Sequence, residues 1–154
     1  MRGGNIKAFR TVALAGAPGA GKTTVFEEIT GCFVCEKRRE LLKGYYYYKY
    51  CEYEIIRLPD TYSEEDAARD FDCVVYVLNA EKTQNELLGA LRCSRSAKRF
   101  ILLLNFCDRA KKRKIPLNVK LLSALLRAPV IKATANSGKG INSLLEAVRK
   151  SFKN

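Results

Sequence analysis

A glycine-rich segment at residues 16–23, Gly-Ala-Pro-Gly-Ala-Gly-Lys-Thr, has the residue types and spacing of a phosphate-binding loop. Its glycines let the backbone curl so that successive N–H groups point at phosphate oxygens, and a following helix adds its positive N-terminal end. We expect Lys22 to bridge the β- and γ-phosphates of a nucleotide and the Thr23 hydroxyl to bind Mg²⁺. The residues expected to contact phosphate are Gly16, Ala17, Pro18, Gly19, Ala20, Gly21, Lys22, Thr23 and Thr24.

A second candidate segment, Asn-Phe-Cys-Asp at residues 105–108, follows an apolar run. Ligands of open α/β sheets bind just beyond the carboxyl ends of such strands. A carboxylate there can accept hydrogen bonds from the N1–H and 2-amino groups of guanine, whereas adenine offers neither donor. We therefore expect Asp108 to select guanine and Asn105 to tie this segment to the phosphate loop. By itself Asn-x-x-Asp is also an ordinary turn sequence.

A third candidate segment, Thr-Ala-Asn-Ser-Gly-Lys-Gly, occupies residues 134–140. A backbone N–H near Ala135 could donate to guanine O6. Adenine carries an amino group at that position, and this amino group is itself a donor that could not accept the bond. A polar turn before the last helix is the alternative interpretation. Thr134, Ala135 and Asn136 thus join Asn105 and Asp108 as expected guanine-binding residues, and the expected ligands are GTP or GDP with Mg²⁺.

Apolar runs and helical patterns alternate along the chain and must position these segments. We predict strands at 11–15, 45–50, 53–58, 73–78, 99–104 and 129–133, and helices at 22–30, 83–92, 117–126 and 140–152. Strand–helix alternation of this kind indicates a three-layer α/β domain with a mostly parallel sheet. The strand before residue 16 and the helix after it argue against a chance glycine-rich turn. We expect one domain over 1–154, with a core at about 10–152 and a basic extension at 1–9.

The composition is strongly basic, with 28 Lys plus Arg against 16 Asp plus Glu and a net charge of +12. Such an excess attracts polyanions, but no motif accompanies it that predicts specific nucleic-acid recognition. No segment has the apolar length of a membrane span or an export signal, so a cytoplasmic protein is expected. The six cysteines are then expected to be reduced thiols, and the absence of His excludes His-based metal sites.

The three segments, in their order along the chain, resemble the motifs of the translation-factor-related small GTPases. More narrowly, they resemble those of the intracellular G domain of FeoB-type ferrous iron transporters. The similarity extends over about residues 10–150. Leu-Pro-Asp-Thr-Tyr-Ser at 58–63 is similar to the family's Leu-Pro-Gly-x-Tyr-Ser, and Val-Leu-Asn-Ala at 77–80 to its Val-Val-Asp-Ala. The resemblance implies a Ras-like fold with six strands, GTP as ligand, and association with an iron-transport membrane protein.

The chain departs from the family at positions that serve hydrolysis. Arg57 and Asp60 occupy the positions of the Asp and the Gly in the family's Asp-x-Pro-Gly motif. Val34 occupies the position where a Thr would close on Mg²⁺, and Gly19 replaces an Asn that helps to bind K⁺. Arg57 has no lone pair to offer a metal, and Asp60 lacks the backbone freedom of glycine. We therefore expect intact nucleotide binding with slow or absent GTP hydrolysis, and no catalytic residue can be assigned.

Two other interpretations remain open. The chain could be a nucleotide-stabilised binding module without catalysis, docking through a tyrosine-rich strand that runs from Tyr45 to Tyr50. It could instead be an ATP-using kinase or ATPase, which Asp108 argues against. Separately, Cys32 and Cys35 form a C-x-x-C pair that would require further ligands to hold a metal, so buried thiols are the preferred interpretation.

Overall fold

Six strands and six α-helices make up the computed structural model, which describes residues 10–32 and 40–153. The strands are β1 (Arg10–Ala15), β2 (Leu42–Tyr48), β3 (Cys51–Arg57), β4 (Cys73–Asn79), β5 (Phe100–Asn105) and β6 (Val130–Lys132). The helices are α1 (Lys22–Thr30), α2 (Glu64–Asp70), α3 (Thr83–Ser96), α4 (Cys107–Lys112), α5 (Val119–Leu126) and α6 (Ile141–Ser151). No helix in this described part of the chain combines the length and the apolar character that a bilayer crossing requires.

The strands form one sheet in the order β2-β3-β1-β4-β5-β6, with β2 antiparallel to β3 and all other pairs parallel. Side chains alternate between two apolar clusters, so that Val12 and Leu14 of β1 face one cluster and Ala13 and Ala15 face the other. Helices α1 and α6 cover the first face, and α2, α3 and α5 contribute to the second. The predicted three-layer α/β fold with a mostly parallel six-stranded sheet is confirmed.

Helix α3 continues four residues beyond its predicted end, to Ser96, and in the β2–β3 hairpin all four strand boundaries differ from the prediction. The hairpin turn falls at Lys49 and Tyr50, both with positive φ, so each strand begins and ends earlier than expected. Lys49 and Tyr50 are not residue types that signal a turn, so the sequence did not reveal it. As expected for an edge strand, β2 has two faces: Tyr45 and Tyr47 are 56% and 61% exposed, whereas Tyr46 packs against the core.

Two short helices, α2 and α4, were not predicted from the sequence. A signal for α2 was present, because the Ser63 hydroxyl caps the helix by accepting from the Asp66 N–H at 3.0 Å, ahead of three acidic residues in the first turn. Helix α4 has only six residues and no side-chain cap, so its sequence resembles a loop. Helix α4 follows the carboxyl end of β5, and α2 begins at Glu64 beside the phosphate loop, so both begin where the candidate site is assembled.

Candidate nucleotide-binding site

The backbone of the phosphate loop, residues 16–23, is shaped by glycines between β1 and α1. Gly16, Gly19 and Gly21 all have positive φ. A Cβ at Gly16 would lie 2.2 Å from the Val77 carbonyl oxygen, and one at Gly21 would lie 2.2 Å from the Asn105 side-chain nitrogen. Gly19 has nothing within 4 Å, so only its backbone angle favours glycine there. The loop is therefore held closely at both ends and open at its tip.

Lys22 lies at the mouth of this loop with only 7% of its side chain exposed. Its ammonium nitrogen donates to the Gly16 carbonyl at 2.6 Å and to the Asp60 carboxylate at 2.7 Å. The first contact directs the ammonium across the loop. The second means that a carboxylate, half-exposed at 54%, takes the position against Lys22 that a phosphate oxygen would take in a nucleotide complex.

Thr23, the expected Mg²⁺ ligand, is in contact with Arg57. The Thr23 hydroxyl accepts a hydrogen bond from Nη1 of Arg57 at 2.8 Å, and Nη2 donates to the Glu40 carbonyl at 2.7 Å. Arg57 is buried, with 7% exposure. The sequence indicated that Arg57 cannot bind a metal; the structure adds that its positive charge lies on the oxygen expected to do so.

Asn105 joins the phosphate loop to the 134–140 segment. Its side-chain nitrogen donates to the Ala20 carbonyl at 3.0 Å, and its side-chain oxygen accepts from the Ala135 N–H at 2.9 Å. Asn105 is 1% exposed, so both bonds are shielded from water. The connection to the phosphate loop that the sequence predicted is present. The N–H of Ala135 itself serves Asn105, so the donor expected near Ala135 for guanine O6 would be a neighbouring amide.

Asp108 lies in the first turn of α4 and is exposed to a cavity of about 580 Å³. Phe106 adopts a left-handed conformation before the helix, and the Cys107 N–H donates to the Ala133 carbonyl at 3.1 Å, which holds α4 against the end of β6. The cavity brings Asp108 together with residues of the third segment. It is lined by Cys107, Asp108, Lys111, Ile115, Leu117, Lys132, Ala133, Thr134, Lys139 and Gly140.

The remaining predicted residues lie where their segments place them. Pro18 and Gly19 are exposed at the tip of the phosphate loop, and Thr24 is half-buried in α1. Thr134 is buried, and its N–H donates to the Lys139 carbonyl at 3.1 Å. Asn136 is exposed in the short 3₁₀ turn at Ala135–Ser137. The site thus offers three loops at one edge of the sheet.

A smaller cavity of about 190 Å³ separates the phosphate loop from the segment before α2. Sequence reasoning did not assign Ser63 or Glu64, which line it together with Asp60. Tyr76 closes its base, and burial raises the pKa of this phenol. The N-cap pattern at Ser63 was the signal that could have brought these residues to attention.

Two expectations fall on residues 33–39, outside the described residues: the switch departure at Val34 and the C-x-x-C partner Cys35. Within the described part, the cysteines are free thiols. The interpretation of Cys32 as a buried thiol is wrong, because Cys32 follows the end of α1 and is exposed. No group of three potential ligands from Cys, Asp and Glu that could hold a metal occurs in residues 10–32 and 40–153.

The chain matches the family described as Ferrous iron transport protein B over residues 10–148. It belongs to the FeoB family. The Fe(2+) transporter FeoB of Campylobacter jejuni is 28% identical over 159 residues, which cover 89% of this chain and 25% of that protein. The Escherichia coli K12 transporter is 29% identical, with 90% and 21% covered. The chain therefore spans about a quarter or less of the length of these curated relatives.

Solved FeoB domains share the fold. The G domain of Methanococcus jannaschii FeoB has a TM-score of 0.84 and 26% identity, covering 96% of this chain and all of that one. The cytosolic domain of T. maritima FeoB in its GMPPNP form has a TM-score of 0.77 and 28% identity, covering 96% of this chain and 65% of that one. The resemblance to FeoB-type G domains and the Ras-like phosphate-loop fold are confirmed.

Proposed function

We propose that this chain binds GDP and GTP as a single domain over 1–154, with its core at about 10–152, and hydrolyses GTP slowly or not at all. The observation that carries the proposal is Asn105, which connects the phosphate loop to the third segment through two buried hydrogen bonds and lies three residues before Asp108. A ligand with a base at Asp108 and phosphates at Lys22 would therefore meet one rigid unit. The T. maritima FeoB domain was solved in GMPPNP and GDP forms, which supports guanine nucleotide as the ligand here.

The Asp108 cavity supports guanine as the base. Its volume of about 580 Å³ accommodates a purine, and an exposed carboxylate at its side can accept from the N1–H and 2-amino groups. Because the Ala135 N–H is engaged by Asn105, we assign the donor to guanine O6 to the next amide, that of Asn136. An ATP-using enzyme is disfavoured by the same carboxylate, since adenine N1 is an acceptor.

Exchanging the hydrogen-bonding pattern of Asp108 tests this assignment. In Asp108→Asn, the side-chain oxygen still accepts from N1–H, but the new amide nitrogen faces the guanine 2-amino group, donor against donor. We expect GDP affinity to fall at least about tenfold. Xanthosine diphosphate, which has a carbonyl in place of the amino group, should gain affinity by a similar factor. Calorimetric titration with GDP, XDP and ADP measures both changes.

Asp66→Asn is a matched control, because Asp66 is an exposed carboxylate on α2 that pairs with Arg69 rather than lining the base cavity. It should leave GDP and XDP affinities unchanged. A gain of XDP binding also excludes misfolding as the cause of lost GDP binding. Equal affinities of the parent for ADP and GDP would instead revive the kinase or ATPase interpretation.

Slow hydrolysis is supported by what surrounds the expected γ-phosphate position. Phosphoryl transfer depends on positioning and on charge stabilisation by Mg²⁺ and donors. Here Asp60 places a negative charge against Lys22, and Arg57 engages the Thr23 hydroxyl. Single-turnover hydrolysis of GTP measures the rate directly. A rate comparable to that of an ordinary signalling GTPase would contradict the proposal.

A binding module without catalysis is the second candidate, supported by the edge strand β2. Tyr45 and Tyr47 present two exposed rings side by side on one face of this strand. Such amphipathic side chains are common in protein interfaces. A module of this kind would bind GDP and GTP with similar affinity, since it would have no contact that distinguishes them. Comparing the two affinities separates a module from a nucleotide switch.

Family membership supports a role in ferrous iron transport, in which this domain would act on an iron-transport membrane protein. In cells whose ferrous iron uptake depends on this protein, Lys22→Ala should lower uptake because it removes the ammonium from the phosphate loop. Lys43→Ala, at an exposed position of β2, is the control. If cells with Lys22→Ala take up as much ferrous iron as cells with the parent protein, nucleotide binding by this chain is not required for iron transport.

A further inference from the structure

Arg57 ends β3 beside the phosphate loop. The parallel register pairs it with Leu14 of β1, and the antiparallel register pairs it with Leu42 of β2. Its side chain reaches the first turn of α1, where Nη1 lies 2.8 Å from the Thr23 hydroxyl, and Nη2 lies 2.7 Å from the Glu40 carbonyl. Both Nη atoms are thus held by hydrogen bonds, and Arg57 as a whole is buried, with 7% exposure.

A divalent cation does not fit this arrangement. Mg²⁺ requires oxygen ligands at about 2.1 Å in near-octahedral geometry. On the Thr23 hydroxyl, such an ion would lie within about 5 Å of the Arg57 nitrogen that already contacts the same oxygen, with two like charges facing each other. The carboxylate of Asp60 is directed to Lys22 instead. The residues at Thr23 suit an arginine cation and not a metal.

We propose that Arg57 takes the place of Mg²⁺, so that guanine nucleotide binds to this chain without a metal. The inference rests on the proposed function and concerns the cation at that same site. A guanidinium is planar and permanently charged, and it binds phosphate oxygens through paired N–H donors. From its position on Thr23, Arg57 neutralises charge on the β-phosphate that the metal would otherwise neutralise. Nucleotide affinity then becomes insensitive to removal of Mg²⁺.

A purely structural role for Arg57 makes a different prediction. If the side chain serves only to fasten Glu40 to α1, nucleotide binding to the parent protein should still depend on Mg²⁺, as the resemblance to the family implies. Metal dependence, rather than affinity or stability alone, is therefore the quantity that separates the two roles.

The test is a titration of fluorescently labelled GDP into the full chain, in excess MgCl₂ and in excess EDTA. For the parent we expect the two dissociation constants to agree within about threefold. Arg57→Gln should weaken binding in EDTA by about tenfold to a hundredfold, the range of a hydrogen bond to a charged group. Arg57→Asp supplies a carboxylate beside Thr23 and should bind GDP at least about tenfold more tightly with MgCl₂ than with EDTA. Arg95→Gln, at an exposed position on α3, should behave as the parent.

Each outcome decides the question. Parent binding that weakens tenfold or more in EDTA overturns the inference and leaves guanine-nucleotide binding intact. Absence of binding in both buffers means that the proposed function itself fails. Should the Arg57 variants not fold, the metal content of the parent–GDP complex, isolated by gel filtration in MgCl₂, provides the answer. Substoichiometric Mg²⁺ per bound GDP supports the inference, and one Mg²⁺ per bound GDP refutes it.

Discussion

Replacing Asn105 by Asp changes one amide nitrogen to oxygen and keeps the size of the side chain. In the structure that nitrogen donates to the buried Ala20 carbonyl at 3.0 Å, while the oxygen accepts from the Ala135 N–H at 2.9 Å. Asp preserves the second bond, but it sets a carboxylate oxygen against a carbonyl oxygen at a position that is 1% exposed. A buried carbonyl without its donor costs about 1–3 kcal/mol, and burying a charge adds to this.

We expect Asn105→Asp to lower the free energy of unfolding at neutral pH by about 3 kcal/mol, measured by urea denaturation. This is a large part of a typical stability of about 5–15 kcal/mol, so the variant should still fold. The penalty should shrink in acid. Burial raises the pKa of the new carboxyl above its unfolded value of about 3.9, and a protonated carboxyl can donate to the Ala20 carbonyl. The difference from the parent is therefore smallest below the unfolded pKa and grows as the pH rises through the folded pKa.

The matched control is Asn118→Asp at the start of α5, an exposed position. The Asn118 oxygen accepts from the Leu121 N–H at 3.0 Å, a bond that Asp can also accept. Its cost should be under about 1 kcal/mol and should not diminish in acid as that of Asn105→Asp does. If Asn105→Asp matches the parent in stability at neutral pH, or if its deficit does not change with pH, the donor role of the Asn105 amide is wrong.

Two substitution experiments and one labelling experiment further test the site and the core. Asp60→Gly removes the carboxylate that would compete with the γ-phosphate for the Lys22 ammonium. Calorimetry should then show that GTP affinity rises about fivefold more than GDP affinity. Equal increases for the two nucleotides would contradict the competition. Gly21→Ala places a methyl group 2.2 Å from the side-chain nitrogen of Asn105 and should lower the free energy of unfolding in urea by more than about 2 kcal/mol. Gly19→Ala meets only the penalty of its positive φ, about 1 kcal/mol. Similar losses for the two variants would exclude the contact with Asn105 as the cause. Burial raises the pKa of Cys73 to about 12, so mass spectrometry should find this thiol unlabelled by iodoacetamide until the protein unfolds. The free energy of unfolding should fall as the pH rises above the pKa of the thiol in the unfolded chain, about 8.5. Rapid labelling of the native protein would argue against the burial of Cys73.

The three candidate segments and the fold class were predictable because their signals are local. The phosphate loop is recognised from residues 16–23 alone, and α1 begins and ends as predicted because Gly31 stops it. The strands β4 and β5 are continuous apolar runs, as expected for strands buried on both faces of a parallel sheet. Where the local signal was weak the prediction was wrong, as in the β2–β3 turn and in the omission of α4, whose six residues carry no cap.

By itself, the sequence determined that Arg57 and Asp60 differ from the residues of the family at these positions, and from this it predicted slow or absent hydrolysis. Only the tertiary structure decided what these side chains do instead: Arg57 meets Thr23, 34 positions away, and Asp60 meets Lys22, 38 positions away. These contacts depend on the register of β3 against β1, and a slip of one residue would turn the Arg57 side chain to the opposite face of the sheet. Register arises from packing of the whole sheet, so no local pattern could have placed the guanidinium on the hydroxyl expected to bind the metal.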